Sequence, residues 1–343
     1  MDEQHLESIL DHFPDTHILV VGDFFLDHYL ILDHALSEIS LETGLEAYQV
    51  VETRSSPGAA GTVTSNLRAL DVQVTALGVI GDDGMGYELL RGLRQRGVNA
   101  EPLIQASDRF TSTYTKPMLR EADGRAHEIQ RLDIKNRIPM PVELEQQIIA
   151  RLGHWIDRVD GIVVADQVPE RNCGVLTDQV RAALAELALS HPDKVIAVDS
   201  RMRIGEYAQA IVKPNGHEAA HAVYGDRAPA DVDRGTAEAC GRELYRRNGR
   251  PVFLTVGTDG VLVFDQQGMT HVPGIRVSGP IDIVGAGDSC MAGIAASLCC
   301  GATNADAALV GNLVASITIQ QIGTTGTATR QQVQDRYREA FAR

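Results

Sequence analysis

Two kinds of hydrophobic pattern alternate along this chain. Short apolar runs rich in β-branched residues, at 17–22 and 161–165, end at Gly or just before Asp and are typical of buried strands. Apolar residues at helical spacing follow later, as at 177–190 and 238–247. Because strands and helices take turns, the pattern predicts an α/β fold in which helices cover both faces of a mostly parallel central sheet.

The remaining segments predict a second, smaller sheet and further strands and helices of the large domain. Segments 45–54 and 110–120 are rich in Val, Thr and Tyr with partial alternation, which indicates half-exposed strands of a smaller sheet. The other predicted elements are strands at 74–80, 195–198, 210–212 and 252–256, a hairpin at 261–265 and 271–277, and helices beginning near residue 62 and at 87–95, 289–300 and 305–321. We therefore expect one large α/β domain with a small β-rich appendage.

Composition narrows the range of partners. The 343 residues carry a formal net charge of −15 with a pI near 5.1, which argues against nucleic acid and anionic membranes because both require a basic surface. No run of about 18 apolar residues is present. Residues 1–16 lack the features of a signal peptide and are interpreted as an N-terminal extension. The five scattered cysteines suit reduced thiols in a cytoplasmic protein.

The most informative segment is DIVGAGD at 282–288, followed by an apolar run rich in small residues. Two glycines around Ala286 let a ligand approach the backbone closely and expose successive amides. At the N-terminus of a buried helix such amides favour an anion, for example a phosphoryl group in transfer. Asp288 is then either a catalytic carboxylate beside an anion site or only a helix N-cap, and the residues alone leave both interpretations open.

Two motifs resemble the signatures of one family. DIVGAGD is similar to the ATP-side DxxGAGD of the PfkB/ribokinase family of sugar and nucleoside kinases, and GDDGMG at 81–86 resembles the family's GxDxxG. The resemblance implies a ribokinase-like kinase domain over 17–330, with lid strands at roughly 33–54 and 110–131, and a C-terminal helix at 331–343. It also implies that the lid covers the sugar site and pairs with its copy in a homodimer.

The resemblance also assigns roles to individual residues. Asp288 would be the general base on the acceptor hydroxyl, and the backbone of Gly285, Ala286 and Gly287 the anion hole. The implied substrate-binding residues are Asp27, Asp23, Gly58, Thr62, Lys116, Arg131 and Asp166, and Arg201 or Arg203, close after Asp199, offers a phosphate contact. The implied nucleotide-binding residues are Lys213, Asn215, Thr255, Gly257, Gly260 and Asn312, and Asn215 and Glu218 would order Mg²⁺. The expected cofactors are ATP and Mg²⁺, with a monovalent cation such as K⁺ as a further expectation.

Departures from the family pattern bear on substrate and activity. In PGAAGTVTSN at 57–66, Ala59 stands in place of a glycine and Thr62 in place of the asparagine that contacts the sugar. Ile283 and Val284 replace a threonine-containing pair beside the phosphates. These changes motivate a second hypothesis, a sugar- or nucleotide-binding regulatory protein that keeps the fold and has weakened catalysis.

The substrate class follows from a narrower resemblance. GDFFLDHYL at 22–30 and the Arg131-Leu132-Asp133 triplet look most like the D-glycero-D-manno-heptose-7-phosphate kinases. We therefore expect ATP-dependent phosphorylation of a hydroxyl on a sugar or sugar phosphate, with Lys116 and Arg131 available to a substrate phosphate. A nicotinamide-dependent oxidoreductase would require GxGxxG directly after the first strand, and GDFFLD there argues against it.

Overall fold

The computed structural model describes residues 1–121 and 125–341. Residues 122–124 of the expected lid and residues 342–343 of the expected C-terminal helix lie outside these ranges. The helices are α1 (Glu3–Asp11), α2 (Ala60–Ala69), α3 (Gly84–Gln95), α4 (Val142–Trp155), α5 (Asp178–Ser190), α6 (Gly216–Tyr224), α7 (Arg234–Asn248), α8 (Ala286–Cys299), α9 (Asn304–Thr318) and α10 (Arg330–Phe341). The strands are β1 (His17–Gly22), β2 (Phe24–Ile39), β3 (Glu46–Ala59), β4 (Gln73–Leu77), β5 (Val79–Gly81), β6 (Ile104–Ala106), β7 (Thr113–Arg120), β8 (Ala126–Glu128), β9 (Leu132–Ile134), β10 (Gly161–Asp166), β11 (Val195–Ser200), β12 (Ile211–Val212), β13 (Val252–Thr255), β14 (Val261–Asp265) and β15 (Gly268–Val272).

An eight-stranded sheet forms the centre of the described chain, in the order β15-β14-β13-β12-β11-β10-β1-β4. The strands from β13 to β4 in that order are parallel, and β14 and β15 add an antiparallel edge. This arrangement confirms the predicted mostly parallel sheet.

Helices cover both faces of the central sheet, as predicted. Ile18 and Val20 of β1 pack into one core with helices α1, α2, α3, α8, α9 and α10, whereas Leu19 and Val21 pack into a second core with α4 to α7. Successive side chains of a strand point to opposite faces, so a strand covered on both faces must be apolar at every position. This requirement explains the uninterrupted apolar runs in the sequence.

A five-stranded small sheet, in the order β3-β2-β7-β8 with β9 paired to β7, contains the strands expected to form a lid and is called the lid below. Its two long strands extend further than the sequence pattern predicts, because β2 begins only two residues after β1. The inner part of β2 is buried at Phe24, Phe25 and Leu26, and an apolar run of this kind shows no alternation from which a lid strand could be predicted. The first residues of β2 therefore lie in the core of the large domain, and only the rest of the strand extends from it.

Three further differences concern element bounds. The predicted strand at 74–80 is divided at Gly78, where a Cβ atom would lie 2.6 Å from the Gly22 carbonyl oxygen, so the chain bends there. The second strand of the predicted hairpin is β15, and its assignment to 271–277 is wrong beyond Val272. Helix α4 was not predicted, although Leu144, Ile148 and Leu152 form its buried stripe.

Residues 1–16, interpreted as an extension, pack into the large domain. Leu6, Leu10 and Phe13 are fully buried, and the Tyr337 hydroxyl of α10 donates to the Met1 carbonyl at 2.8 Å. None of the helices in the described ranges is long and apolar enough to cross a lipid bilayer.

The parallel strands place polar residues along one edge of the central sheet. The carboxyl ends of β1, β10, β11, β12 and β13 are adjacent there, and ligands of open α/β sheets bind at this edge. The residues at or just after these ends are Asp23, Asp166, Asp199, Lys213 and Thr255. The site is built on this edge.

Candidate active site

The loop before α8 has the geometry of an anion site. Gly285 is the N-cap with φ 79°, a left-handed conformation that favours glycine. The Ala286 amide donates to the Ile283 carbonyl at 3.1 Å, so Ala286 shapes the loop and does not offer its N–H. The amides of Gly287 and Asp288 have no hydrogen-bond partner within the described ranges. These two amides, at the positive end of the helix dipole, can hold an anion.

Two threonines flank this loop. A Cβ atom on Gly285 would lie 2.9 Å from Thr325 Cγ2 and 3.5 Å from Thr62 Cγ2. Thr62 is buried in the first turn of α2, so the segment predicted to bind substrate meets the anion loop. The residue before α2, Ala59, has φ 52°, a conformation that L-residues rarely adopt. The glycine expected at position 59 would relieve this strain.

A buried ion pair lies next to Gly287 in the loop before α8. Lys213 Nζ lies 2.9 Å from Asp199 Oδ2, and a Cβ atom on Gly287 would lie 3.5 Å from that Nζ and 4.0 Å from that Oδ2. Burial alone would lower the pKa of Lys213, but the Asp199 carboxylate outweighs it, and the pKa is raised. The lysine is therefore charged beneath the free amides and adds positive potential to the anion site.

Asp288, at the start of α8, has a raised pKa. Burial raises its pKa to about 7 and the neighbouring Asp199 charge acts in the same direction, whereas Lys213 and Arg201 oppose them and Asp27 adds a smaller increase. Part of the side chain stays accessible to solvent, so a ligand can reach it although protein surrounds it closely. A base with a pKa near the working pH is suited to proton abstraction.

The lid supplies Asp27 opposite Asp288. Asp27 lies on β2 and pairs with Lys116 of β7 at 2.8 Å, and Lys116 also donates to the Tyr29 hydroxyl at 3.2 Å. A Cβ atom on Gly58 would lie 2.5 Å from Asp27 Oδ2, so the absence of a side chain at Gly58 makes room for this carboxylate. Asp27 is thus positioned by Lys116 and Gly58 and keeps acceptor capacity for hydroxyl groups.

Arg131 lies on the same lid surface but is partly engaged. Its guanidinium makes two bonds to the Asp133 carboxylate, at 2.7 and 3.0 Å, and stacks over the Tyr114 ring at 4.5 Å from the centroid. Tyr114 is in register with Asp27 on the neighbouring strand. Arg131 therefore lies near Asp27 on the small sheet.

Asp23 and Asp166 differ from the other predicted substrate residues, because protein donors surround their carboxylates. Asp23 accepts the amides of Gln167 at 2.8 Å, Val168 at 3.0 Å and Val175 at 2.8 Å. Burial, reinforced by the nearby Asp166 charge, raises its pKa to about 6.

Asp166 accepts bonds from Ser200 at 2.7 Å, Arg203 at 2.9 Å and Tyr207 at 3.0 Å. Both aspartates are almost completely buried. Their contacts hold the segments that follow β10 and β11 in place.

On the nucleotide side, Asn215 and Glu218 form a capping box at the start of α6. Asn215 Oδ1 accepts the Glu218 amide at 2.9 Å, and Glu218 Oε2 accepts the Asn215 amide at 2.8 Å. The Thr255 amide donates to the Pro214 carbonyl at 2.9 Å, which fixes this segment to the end of β13. Burial and the Asp199 charge raise the pKa of Glu218 to about 7, against the effect of Lys213.

The remaining nucleotide-side residues shape the adjoining loops. Gly257 and Gly260 have φ values of 60° and 94°, which glycine adopts without strain. Asn312 of α9 donates to the Val272 and Pro273 carbonyls at 3.2 and 3.0 Å. All three residues lie around the ends of β13 and β15.

The donor set is compatible with Mg²⁺ only if phosphate and water complete the coordination. In the described part of the chain no three His, Cys, Asp or Glu side chains come close enough to hold a metal on their own. Glu218 keeps one oxygen free of protein partners within that part, and burial, with the Asp199 charge as a second cause, raises its pKa. Mg²⁺ characteristically binds one or two carboxylates together with nucleotide phosphates, so these residues fit it.

The structure brings several of the residues selected from the sequence close together. Asp27, Gly58, Lys116 and Arg131 lie on the small sheet, and Thr62 and Lys213 lie beside the 285–288 loop. Two neighbours were missed: Tyr114, whose alternation pattern indicated only a strand, and Thr325, which follows no recognisable pattern.

Comparison with solved structures identifies the class of fold. Phosphofructokinase-2 from Escherichia coli in complex with potassium matches with a TM-score of 0.69 at 17% identity, covering 96% of this chain and 100% of that one. Ribokinase from Arabidopsis thaliana with ribose and ATP matches with a TM-score of 0.67 at 16% identity, covering 94% and 98%. The fold is ribokinase-like, as predicted.

Residues 16–330 match the family described as pfkB family carbohydrate kinase, and the chain belongs to that family. By its family it is a carbohydrate kinase. Among curated relatives, the bifunctional protein HldE of Pelobacter propionicus is 30% identical over 333 residues, and that of Trichlorobacter lovleyi is 29% identical over 326 residues. These alignments cover 96% and 95% of this chain, respectively, and the chain spans only 64% of the length of either relative.

Proposed function

We propose that this protein transfers the γ-phosphoryl group of ATP to a hydroxyl of a sugar or sugar phosphate, with Asp288 as the general base. The observation that carries the proposal is the position of Asp288. The pKa of its carboxyl is raised to about 7, and the charge of Asp27 on the lid contributes to that increase. The amides of Asp288 and Gly287 have no hydrogen-bond partner within the described ranges.

The transfer step follows from these positions. Asp288 accepts the proton of the acceptor hydroxyl as that oxygen attacks the γ-phosphorus, and the bond to the β–γ bridging oxygen breaks to leave ADP. The free amides of Gly287 and Asp288, with Lys213 beneath them, stabilise the charge on the phosphoryl oxygens. Asp27 accepts hydroxyl groups of the sugar and holds the acceptor toward Asp288.

The nucleotide side would hold ATP along the ends of β12 and β13. Lys213, Asn215, Thr255, Gly257, Gly260 and Asn312 line or shape that side. Mg²⁺ would be ordered by Glu218 and Asn215 and would neutralise phosphate charge when bound. A monovalent cation such as K⁺ would lie near the Asp282 loop, whose side chain accepts the Val284 amide at 3.0 Å.

A heptose phosphate is the substrate we favour within this class. The relatives named HldE support it, together with the GDFFLDHYL and Arg-Leu-Asp segments of the sequence. Lys116 and Arg131 border the sugar side and suit a substrate phosphate. Thr62, at the base of the cleft, would contact a hydroxyl where the family has an asparagine.

The proposal also includes the cellular setting and the assembly. All five cysteines are free thiols, which suits the cytoplasm. The acidic surface favours small-molecule ligands over nucleic acid or membranes. A homodimer through the lid sheet is proposed because the lid exposes apolar side chains, among them Leu41 and Leu45.

Replacement of the base tests the function directly. In Asp288→Asn we expect turnover to fall by about 10²- to 10⁴-fold while ATP affinity measured by calorimetry stays nearly unchanged. ATP consumption would be assayed with heptose, hexose and their phosphates, and Asp335→Asn on the exposed face of α10 serves as the matched control.

Two results would contradict the proposal. Near wild-type turnover in Asp288→Asn would remove this residue from the role of base. Sugar binding by the wild type with no ATP consumed for any substrate would favour the alternative, a sugar- or nucleotide-binding regulatory protein on the same fold, which the Ala59, Thr62 and Val284 departures motivate.

A further inference from the structure

The GDDGMG segment at 81–86 contains a carboxylate that the proposed function does not use. Asp83 is the N-cap of α3, and its Oδ1 accepts the Gly86 amide at 2.7 Å. Its other oxygen, Oδ2, accepts the Thr111 amide at 2.9 Å. An N-cap requires only one side-chain oxygen, so the bond to Thr111 calls for a separate explanation.

Thr111 lies two residues before β7 and packs against both ends of the GDDGMG segment. Its hydroxyl oxygen accepts the Gly81 amide at 2.9 Å. A Cβ atom on Gly81 would lie 2.6 Å from the Thr111 nitrogen, and one on Gly86 would lie 2.9 Å from the Thr111 hydroxyl oxygen. The two glycines therefore allow the chain before β7 to lie directly against the start of α3.

The bonds to Asp83 are made to a charged group. Burial alone would raise the pKa of Asp83, but the amides of Thr111 and Gly86 outweigh it, and the pKa is lowered. Hydrogen bonds to an ionised carboxylate are stronger than those between neutral groups. Asp83 therefore holds the start of β7 more firmly than a neutral cap would.

The chain that leaves the lid after β9 is bound to the same short segment. Asn136 donates to the Phe110 carbonyl at 2.8 Å, and its Oδ1 accepts the Phe110 amide at 3.0 Å. The Arg109 guanidinium donates to the Ile138 carbonyl at 3.0 Å. Both connections between the large domain and strands β7 to β9 are thus tied to the segment that Asp83 holds.

Strand β7 carries side chains of the candidate site. Lys116 pairs with Asp27 at 2.8 Å, and Tyr114 is in register with Asp27 on β2. The Leu26 amide donates to the Ser112 carbonyl at 2.9 Å, so β2 is aligned to the start of β7 as well. A shift of that start would move the lysine and, with it, the carboxylate that it holds.

We infer that Asp83 is a positioning residue, which fixes the start of β7 against α3 and so places Lys116 and Asp27 for the acceptor sugar. This inference rests on the proposed function. Both oxygens of Asp83 are engaged by backbone amides, so it acts through the lid and not by contact with a ligand. A small displacement of a positioning group lowers the rate strongly, and here the loss falls on the sugar and not on ATP.

Asp83→Ser distinguishes the two bonds, because a serine hydroxyl can still cap α3 but offers no second oxygen to the Thr111 amide. Asp233→Ser is the matched control, since Asp233 caps α7 by accepting the Thr236 amide of that helix at 2.7 Å. We expect kcat/KM for the sugar to fall by about 10- to 100-fold in Asp83→Ser. The KM for ATP should stay unchanged, and Asp233→Ser should have wild-type kinetics.

Two further measurements report on the lid itself. In hydrogen exchange followed by mass spectrometry, peptides of β7 should exchange faster in Asp83→Ser than in the wild type, whereas peptides of β10 and β11 should not change. Combined with Lys116→Gln, the Asp83→Ser substitution should lower kcat/KM by less than the product of the two single effects, because both act on Asp27.

The outcomes separate this inference from the proposed function. Equal kinetics in Asp83→Ser and Asp233→Ser would show that Asp83 is only a helix cap, and a raised KM for ATP alone would assign it to the nucleotide side; either result overturns the inference. If the wild type transfers no phosphoryl group, the proposed function fails, and unchanged exchange of β7 in Asp83→Ser would then refute the role of Asp83 in the lid. If Asp83→Ser does not fold, Thr111→Val, which loses the acceptor of the Gly81 amide, is judged by the same criteria.

Discussion

At the scale of single residues, the burial of Asp288 beside Asp199 sets the pH at which its carboxylate becomes available. Its pKa is raised to about 7, against the charges of Lys213 and Arg201 and with a small contribution from Asp27. A raised pKa means that the carboxyl is protonated, and inactive as a base, below that pH. We expect kcat to fall about tenfold per pH unit below pH 7 and to level off above it, as measured in a pH profile at saturating substrates.

A pH-independent kcat down to pH 5.5 would contradict this prediction.

The raised pKa of Asp288 also has a consequence for the stability of the protein. Since the folded-state pKa of Asp288 is above its unfolded value, its stabilising contribution is present at acid pH and is lost as the pH rises through about 7. Asp288→Asn should therefore be no less stable than the wild type at pH 8, as urea denaturation would show.

Replacement of Asp23, unlike replacement of Asp288, is expected to destabilise the protein. Its carboxylate accepts three backbone amides, so Asp23→Ala would leave buried donors unpaired and should lower the free energy of unfolding by about 2–4 kcal/mol. Urea denaturation would measure the loss. A stable Asp23→Ala variant with a raised KM for sugar would instead show that Asp23 binds substrate.

The contrast between Asp23 and Asp27 shows what the sequence could predict about the site. Both acids follow a buried strand, and a motif resemblance selected both. The amides that surround Asp23 come from the segment after β10, and no local pattern reveals which distant backbone will meet a carboxylate. The DIVGAGD segment was predictable because its glycines, helix start and acid are contiguous.

At the scale of elements, the pairing of β2 with β3 places Asp27 against Gly58. A Cβ atom at Gly58 would lie 2.5 Å from Asp27 Oδ2, so Gly58→Ala must displace the carboxylate from Lys116. We expect kcat/KM for the sugar to fall by about 10- to 100-fold, with little change in the KM for ATP.

Gly153→Ala in α4 is the matched control, because a Cβ atom there meets no other atom within 4 Å. Equal kinetics in the two variants would show that Asp27 tolerates displacement and is not held for substrate. Lid elements were also the hardest to predict. The burial pattern of β2 does not alternate, and its first residues are buried and apolar, so periodicity alone gave no signal for this strand.

At the scale of the whole molecule, the lid exposes apolar side chains that a second copy could cover. Leu41 is fully exposed and Leu45 is 69% exposed, and β3 is an edge strand with unpaired backbone groups. If the lid forms a homodimer, Leu41→Asp combined with Leu45→Asp should yield a monomer in sedimentation equilibrium.

Leu189→Asp is the control, since Leu189 is similarly exposed, at 64%, on helix α5. A wild type that stays monomeric at all concentrations would contradict the dimer.

The overall fold was predictable from periodicity, because a sheet covered on both faces requires the apolar runs that the sequence contains. Sheet order was not predictable, since it depends on contacts between distant segments, whereas α4 was missed although Leu144, Ile148 and Leu152 recur at helical spacing.

The central position of β1 has a consequence for biosynthesis. On one side β1 pairs with β4, which follows soon after it, but its other edge pairs with β10, which the ribosome makes roughly 140 residues later. At about 5–20 residues per second, a nascent chain carries that apolar edge open for roughly 7–30 s. The half-made protein is therefore an expected client of ribosome-associated chaperones, and truncation before β10 should yield aggregates and no independently folded fragment.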